Sequence, residues 1–257
     1  MFWPMRLGFV LLWRFRLVVT SVLAGMGLAY GIQLRQQQRT WGVVPADAAR
    51  PLPGDELVEP ATIVDTRSLD IDAPPAAVWP WLVQMGWGRG GWYSYDRLDM
   101  DTRSADTILA EHQDLAEGDL VPTHPGGGFV ARVVQPNGAL VLYLDSALVT
   151  QQAGEEADED VDEDTGGRPT AEGLPGGLQV AGFMGEMTMP EFRASWAFVL
   201  EDAPGGRCHL VERFRVWAPE AGMGQRLGMP LMGAGVFAMT RKHMLGVKER
   251  AERHATH

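Results

Sequence analysis

Residues 71–99, IDAPPAAVWPWLVQMGWGRGGWYSYDRLD, constrain the fold more than any other part of this 257-residue chain. They set a strand end, a Pro-started helix and a Gly/aromatic loop in one order. Pro74 and Pro75 suit the first turn of a helix, where a missing N–H costs nothing. Val78, Trp81, Leu82 and Met85 come next at spacings of three, one and three, which gives that helix one apolar face. Pro80 falls inside it and predicts a kink, because it removes a backbone hydrogen bond. Before it, residues 62–71 read as a strand with Ile63, Leu69 and Ile71 on one face, although Asp65 and Arg67 spoil strict alternation.

Beyond this helix and loop the chain reads mostly as antiparallel strand. Residues 128–135 and 139–144 flank a Pro136-Asn137-Gly138 turn, and residues 191–201 and 207–218 flank Pro204-Gly205-Gly206, so two hairpins are predicted. In the second hairpin Phe192, Ala194, Trp196, Phe198 and Leu200 alternate onto one face. Its other strand does the same with Cys208, Leu210, Glu212, Phe214 and Val216. Four of those five are apolar, so the pattern carries Glu212 inward with them. The chain ends in a helix predicted over 232–254. There Val236, Met239, His243 and Val247 share one stripe, with Phe237 and Met244 alongside, while Arg241, Lys242, Lys248, Glu249, Arg250 and Glu252 lie largely on the outer side.

AVWPWLVQMG at 77–86, with GGWYSYD after it at 90–96, resembles the START-like superfamily, also called SRPBCC. These helix-grip proteins include polyketide cyclases and lipid-transfer domains, and the similarity runs from about Arg39 to Arg253 with one insertion. The resemblance implies an α+β fold: a curved antiparallel sheet wrapped around a long C-terminal helix, enclosing a cavity for an apolar small molecule. It implies no named reaction. His243 departs from the family pattern, where a hydrophobic residue is usual. It is read either as a polar contact to a ligand or as a helix-edge histidine reaching solvent.

The N-terminus carries a second expectation. Residues 17–34, LVVTSVLAGMGLAYGIQL, are uncharged between Arg16 and Arg35 and span roughly 27 Å as a helix, close to a hydrocarbon core of about 30 Å. Trp13 lies near one end, Tyr30 and Trp41 near the other, as interfacial belts require. Residues 1–38 are therefore expected to hold a single transmembrane anchor in the cell membrane, with the adjoining domain facing outward. Residues 39–60, which contain ARPLPGDELVEP, read as an extended linker. The START-like domain is expected over 61–255, broken by a disordered acidic insertion at about 151–177. Of the formal charge of −11, eight acidic residues fall within 155–164, so the rest of the chain carries about −3. No basic stripe suggests nucleic acid. Cys208 is the only cysteine, which excludes an intramolecular disulfide and a cysteine-based zinc cage.

The chemical signals are few. Gly86-Trp87-Gly88-Arg89-Gly90-Gly91 satisfies G-x-G-x-x-G in form, but a dinucleotide fingerprint needs a strand before it and a helix after it. Here a helix precedes and aromatics come after. The six histidines contain no H-x-H or H-E-x-x-H pattern, so no metal and no cofactor are expected. An inward Glu212 would sit in low dielectric, which raises a carboxyl pKa unless Arg132 or Arg193 pairs with it. It is the one catalytic candidate, with Tyr93 or Tyr95 as hydrogen-bond donor. As a ligand-binding set, the helix and loop offer Trp81, Met85, Trp92, Tyr93 and Tyr95. The strands add Trp196, Phe198, Glu212 and Phe214, and the last helix adds Val236, Met239 and His243. The favoured reading is a membrane-anchored module for a lipid or polyketide-like molecule. The alternatives are a cyclase- or hydratase-like enzyme using Glu212, or an interaction domain whose cavity its own side chains fill. Oligomeric state is left open.

Overall fold

Two hairpins build the centre of the sheet. The computed structural model describes residues 20–22, 25–26, 29–96, 103–124, 127–147, 191–219 and 223–255. Strand β1 is Ile63–Ile71, β2 Leu120–His124, β3 Gly127–Gln135, β4 Ala139–Asp145, β5 Arg193–Ala203 and β6 Arg207–Trp217. The six form one sheet in the order β1-β6-β5-β4-β3-β2, with every neighbouring pair antiparallel. The β3–β4 turn places Asn137 at φ 61°, a left-handed conformation that Asn tolerates in a three-residue hairpin loop. β2, not anticipated from the sequence, is an edge strand whose register shifts between Pro122 and His124. Proline is tolerated at such an edge because no further strand needs its missing N–H.

Among the described residues from 40 onward, the helices α1 (Pro45–Ala49), α2 (Pro75–Val83) and α3 (Met223–Ala255) complete the frame. α2 starts as expected, with Pro74 at the N-cap and Pro75 at the first helical position. Its burial is wider than one face, since Trp79 and Val83 are buried as well as Val78, Trp81 and Leu82. α3 covers the same sheet face, burying Met244, Val247 and Ala251 against α2 and the strands. The α+β class, the antiparallel sheet and the long C-terminal helix agree with expectation. α3 differs in beginning nine residues earlier, at Met223 rather than Met232.

The opposite sheet face is also covered. Residues 40–60 were expected to form an extended linker, but they pack on the sheet. Leu52 joins Ala139, Val199 and Val211 in a second small core. Arg213, 3% exposed, pins this segment from β6. Its guanidinium donates to the carbonyl oxygens of Asp47 (2.7 Å) and Arg50 (2.9 Å), to Thr66 Oγ1 (3.0 Å) and to Asp55 Oδ2 (2.6 Å). A buried guanidinium with five N–H groups needs many acceptors, and this segment supplies most of them.

The chain divides into two units, Met1–Arg39 and Thr40–His257. In the first, residues 20–22, 25–26 and 29–39 are helical. Among the described residues no helix is long and apolar enough to cross a membrane, so the expected transmembrane helix is unsupported. Of its expected span, residues 17–19, 23–24 and 27–28 lie outside the described residues. The expected acidic insertion at 151–177 lies wholly outside them.

Candidate functional site

The inner face of the sheet carries one buried polar knot. β1 and β6 pair so that Arg67 lies opposite Glu212 and Asp65 opposite Phe214. β5 continues the two rows with Phe198 beside Glu212 and Trp196 beside Phe214. Glu212 is fully buried and Arg67 is 1% exposed. Arg67 Nη1 donates to Glu212 Oε2 at 3.1 Å, and its Nη2 donates to Asp65 Oδ2 at 2.9 Å. Trp196 Nε1 donates to Glu212 Oε1 at 2.7 Å. On the helix side, the Phe237 ring of α3 lies 5.8 Å from the Arg67 guanidinium carbon. Burial pushes the Glu212 carboxyl above its ordinary pKa, opposed by the Arg67 charge and the hydrogen bonds from Arg67 and Trp196.

Arg67 is the partner that sequence reasoning missed. Arg132 stacks over Tyr143 and Arg193 over Trp217 instead. The available signal was the interrupted alternation of β1. Asp65 and Arg67 fall on the apolar face of their strand, as Glu212 does on its own. Two polar breaks in two apolar faces match once the first and last strands are neighbours.

Around Trp196 the inner face is aromatic. Trp92 stacks on it with ring centroids 5.7 Å apart, Phe198 tilts against it at 4.9 Å, Phe129 at 5.9 Å, and Phe214 meets it edge-on at 6.1 Å. His243 comes down from α3 into this cluster, 5.6 Å from Trp196, 5.5 Å from Phe198 and 6.1 Å from Tyr93. Its Nδ1 lies 2.7 Å from the Trp92 carbonyl oxygen. Since a carbonyl only accepts, Nδ1 carries the proton and Nε2 carries a lone pair. Burial drives the pKa of His243 down to about 4; the bond to Trp92 opposes this and Arg250 adds to it. The solvent-edge reading of His243 does not hold, because the side chain is 2% exposed. The 91–94 loop closes over that edge, and Gly246 makes this possible. Any Cβ on residue 246 would run into the Tyr93 carbonyl oxygen.

The remaining candidates separate by depth. Trp81, Met85 and Tyr93 are core side chains, and the Tyr93 hydroxyl donates to the Trp81 carbonyl oxygen at 3.0 Å. That bond and its burial, which raises its pKa, leave Tyr93 a neutral donor already in use. Tyr95 is 44% exposed and stands away from Glu212's hydrogen-bond set. Val236 and Met239 are 39% and 38% exposed rather than closed over the sheet. Along β6 the same face passes from fully buried Cys208, Leu210 and Glu212 to partly exposed Phe214 and Val216. The inner face is therefore sealed beneath the C-terminal half of α3 and open toward Val236 and Met239. Burial pushes the Cys208 thiol at the sealed end up to about 12, which leaves it protonated and unreactive. The G-x-G-x-x-G stretch is a small bridge in which Gly86 and Gly91 exchange backbone hydrogen bonds, at 3.2 and 3.1 Å. No strand precedes it, so it offers no dinucleotide cradle.

No family model matches this chain, and no curated protein does. Among solved structures, the protein MLL2253 from Mesorhizobium loti is 15% identical, with 74% of this chain and 98% of that one covered and a TM-score of 0.36. CalU16 from Micromonospora echinospora is 14% identical, with 74% and 84% covered and a TM-score of 0.29. Likeness at that level carries no argument about activity. The architecture rests on this chain's own strand order and register.

Proposed function

We propose that this chain binds an apolar or amphipathic small molecule, lipid-like or polyketide-like, against the inner sheet face beneath the N-terminal half of α3. The observation that carries this reading is the gradient of burial. A stack of aromatic rings around Trp196 is closed on one side and left partly exposed on the side of Phe214, Val236 and Met239. Partly covered aromatic surface beside a few fixed polar groups is the usual make-up of a small-molecule site. The enzymatic alternative is less favoured, because Arg67 and Trp196 already engage both Glu212 oxygens.

Met239→Arg tests the reading at an exposed position, where a charge leaves the fold intact. N-phenyl-1-naphthylamine should bind the unaltered protein saturably, with quenching of tryptophan emission. The variant should lose at least about tenfold in affinity, since burying a hydrocarbon surface against a charge forfeits its transfer free energy. Equal binding by both, or no saturable binding, would remove the site.

Membrane tethering through residues 17–34 belongs to the same proposal and rests on hydropathy and length. The full chain should sediment with membranes, and deletion of residues 1–38 should release it. A full chain that stays in the supernatant would refute the tether.

A further inference from the structure

We propose that the ligand of this site is an apolar molecule bearing a hydroxyl or N–H group, which it donates to Nε2 of His243. The inference rests on the binding function just proposed and adds the polarity of the recognised group.

Among the polar groups of the inner face, most already have partners. Glu212 is occupied by Arg67 and Trp196, and Arg67 also holds Asp65. The Tyr93 hydroxyl is spent on the Trp81 carbonyl, and the Ser94 hydroxyl donates to the Met239 carbonyl at 3.0 Å. His243 Nε2 is buried without any hydrogen-bond partner. A buried polar atom without a partner costs free energy that a bonded one does not. With Nδ1–H committed to the Trp92 carbonyl, Nε2 can only accept. A carbonyl, ether or carboxylate has nothing to give it. The low pKa of about 4 keeps the ring in this accepting form at neutral pH.

Position supports the same assignment. His243 lies one helical turn from Met239 and two from Val236, the two partly exposed apolar side chains on that stripe of α3. A hydrocarbon body lying along Val236 and Met239 would bring its polar end to His243. Trp81 Nε1 is also buried without a partner, but it is a donor, on α2, and its ring packs against Tyr93 and His254.

Two probes, one with a hydroxyl and the other with the hydroxyl hydrogen replaced by methyl, provide the test. 2-Naphthol should bind about tenfold more tightly than 2-methoxynaphthalene, because only the former satisfies the buried acceptor. In the full-length protein with 15N-labelled histidine, the Nε2 resonance of His243 should move away from the free lone-pair position with 2-naphthol. It should stay in place with the ether. His243→Leu should abolish the preference for 2-naphthol over the ether. Should that variant fail to fold, the resonance in the unaltered protein decides the matter. Equal affinities and an unmoved Nε2 would overturn this inference while leaving the apolar site standing. Binding of neither probe would overturn both.

Discussion

Arg67→Met will destabilise the folded chain by about 3–5 kcal/mol, the usual cost of removing one member of a buried ion pair. The methionine matches the aliphatic stem and still packs beneath Phe237, so the loss reports charge rather than volume. Glu212 would then be an uncompensated carboxylate, fully buried, holding only the bond from Trp196. Its pKa, already raised by burial, would rise further. The variant's deficit is therefore full where Glu212 is ionised and shrinks as pH falls through the raised pKa. Adding Glu212→Gln removes the charge but keeps an oxygen for Trp196 Nε1. The double variant should therefore recover more than half of the loss, as read by urea unfolding at pH 7. Additive losses in the double variant would mean that the pair is not coupled and that Arg67 acts through Asp65 alone.

The ion pair also shows how far the amino-acid pattern reached. Inward placement of Glu212, Trp196 and Phe198 was legible, because strict alternation in a hairpin with Pro-Gly-Gly at its turn leaves one register. The identity of Glu212's partner was not, because it depends on β1 lying beside β6, which brings together residues 145 apart in the chain. Periodicity is local and says nothing of which strands meet. The docking of residues 40–60 was hidden for a different reason. Two of the acceptors that hold Arg213 are the backbone carbonyls of Asp47 and Arg50, and a carbonyl leaves no mark on residue type. The first nine residues of α3 escape the pattern because Gly224, Gly228 and Pro230 resemble helix stops, yet they lie inside Met223–Ala255. His243 fell correctly on the stripe of Val236, Met239 and Val247. Helical periodicity could not foresee that the 91–94 loop would close over it while Val236 and Met239 stay partly exposed.

Lowering the pH from about 6.5 to about 4 should cost the native state about 3 kcal/mol through His243 alone. The ring is neutral when folded, with a pKa of about 4, whereas in the unfolded chain it takes a proton near 6.5. Between those values the unfolded state binds the extra proton, so stability rises with pH across the window and falls as acid is added. Other groups titrate as well: Glu252 and Asp70, whose folded carboxyls lie below their ordinary pKa, lose stability in the same direction at the acid end of the window. His209 sits between Asp70 and Asp47; burial works against its proton, but the bonds to both carboxylates outweigh that and raise its pKa. Its contribution is full below about 6.5 and is lost only as pH rises through the folded value. Glu212, also raised, opposes His243 inside the window, so the raw curve of the unaltered protein mixes all of these groups. The isolating measurement is the difference between the unaltered protein and His243→Phe, by urea unfolding at intervals from pH 4 to pH 8. Phenylalanine preserves the stacking with Tyr93 and Trp196 and cannot titrate; Arg250, the charged neighbour that deepens the shift, is the same in both. Loss of the Trp92 hydrogen bond shifts the variant by a constant amount. The gap between the curves should change by about 3 kcal/mol between pH 6.5 and pH 4, with the unaltered protein losing ground. Parallel curves would mean that the folded ring takes its proton as readily as the unfolded one. Nε2 would then be open to water, and the buried acceptor on which ligand selection depends would not exist.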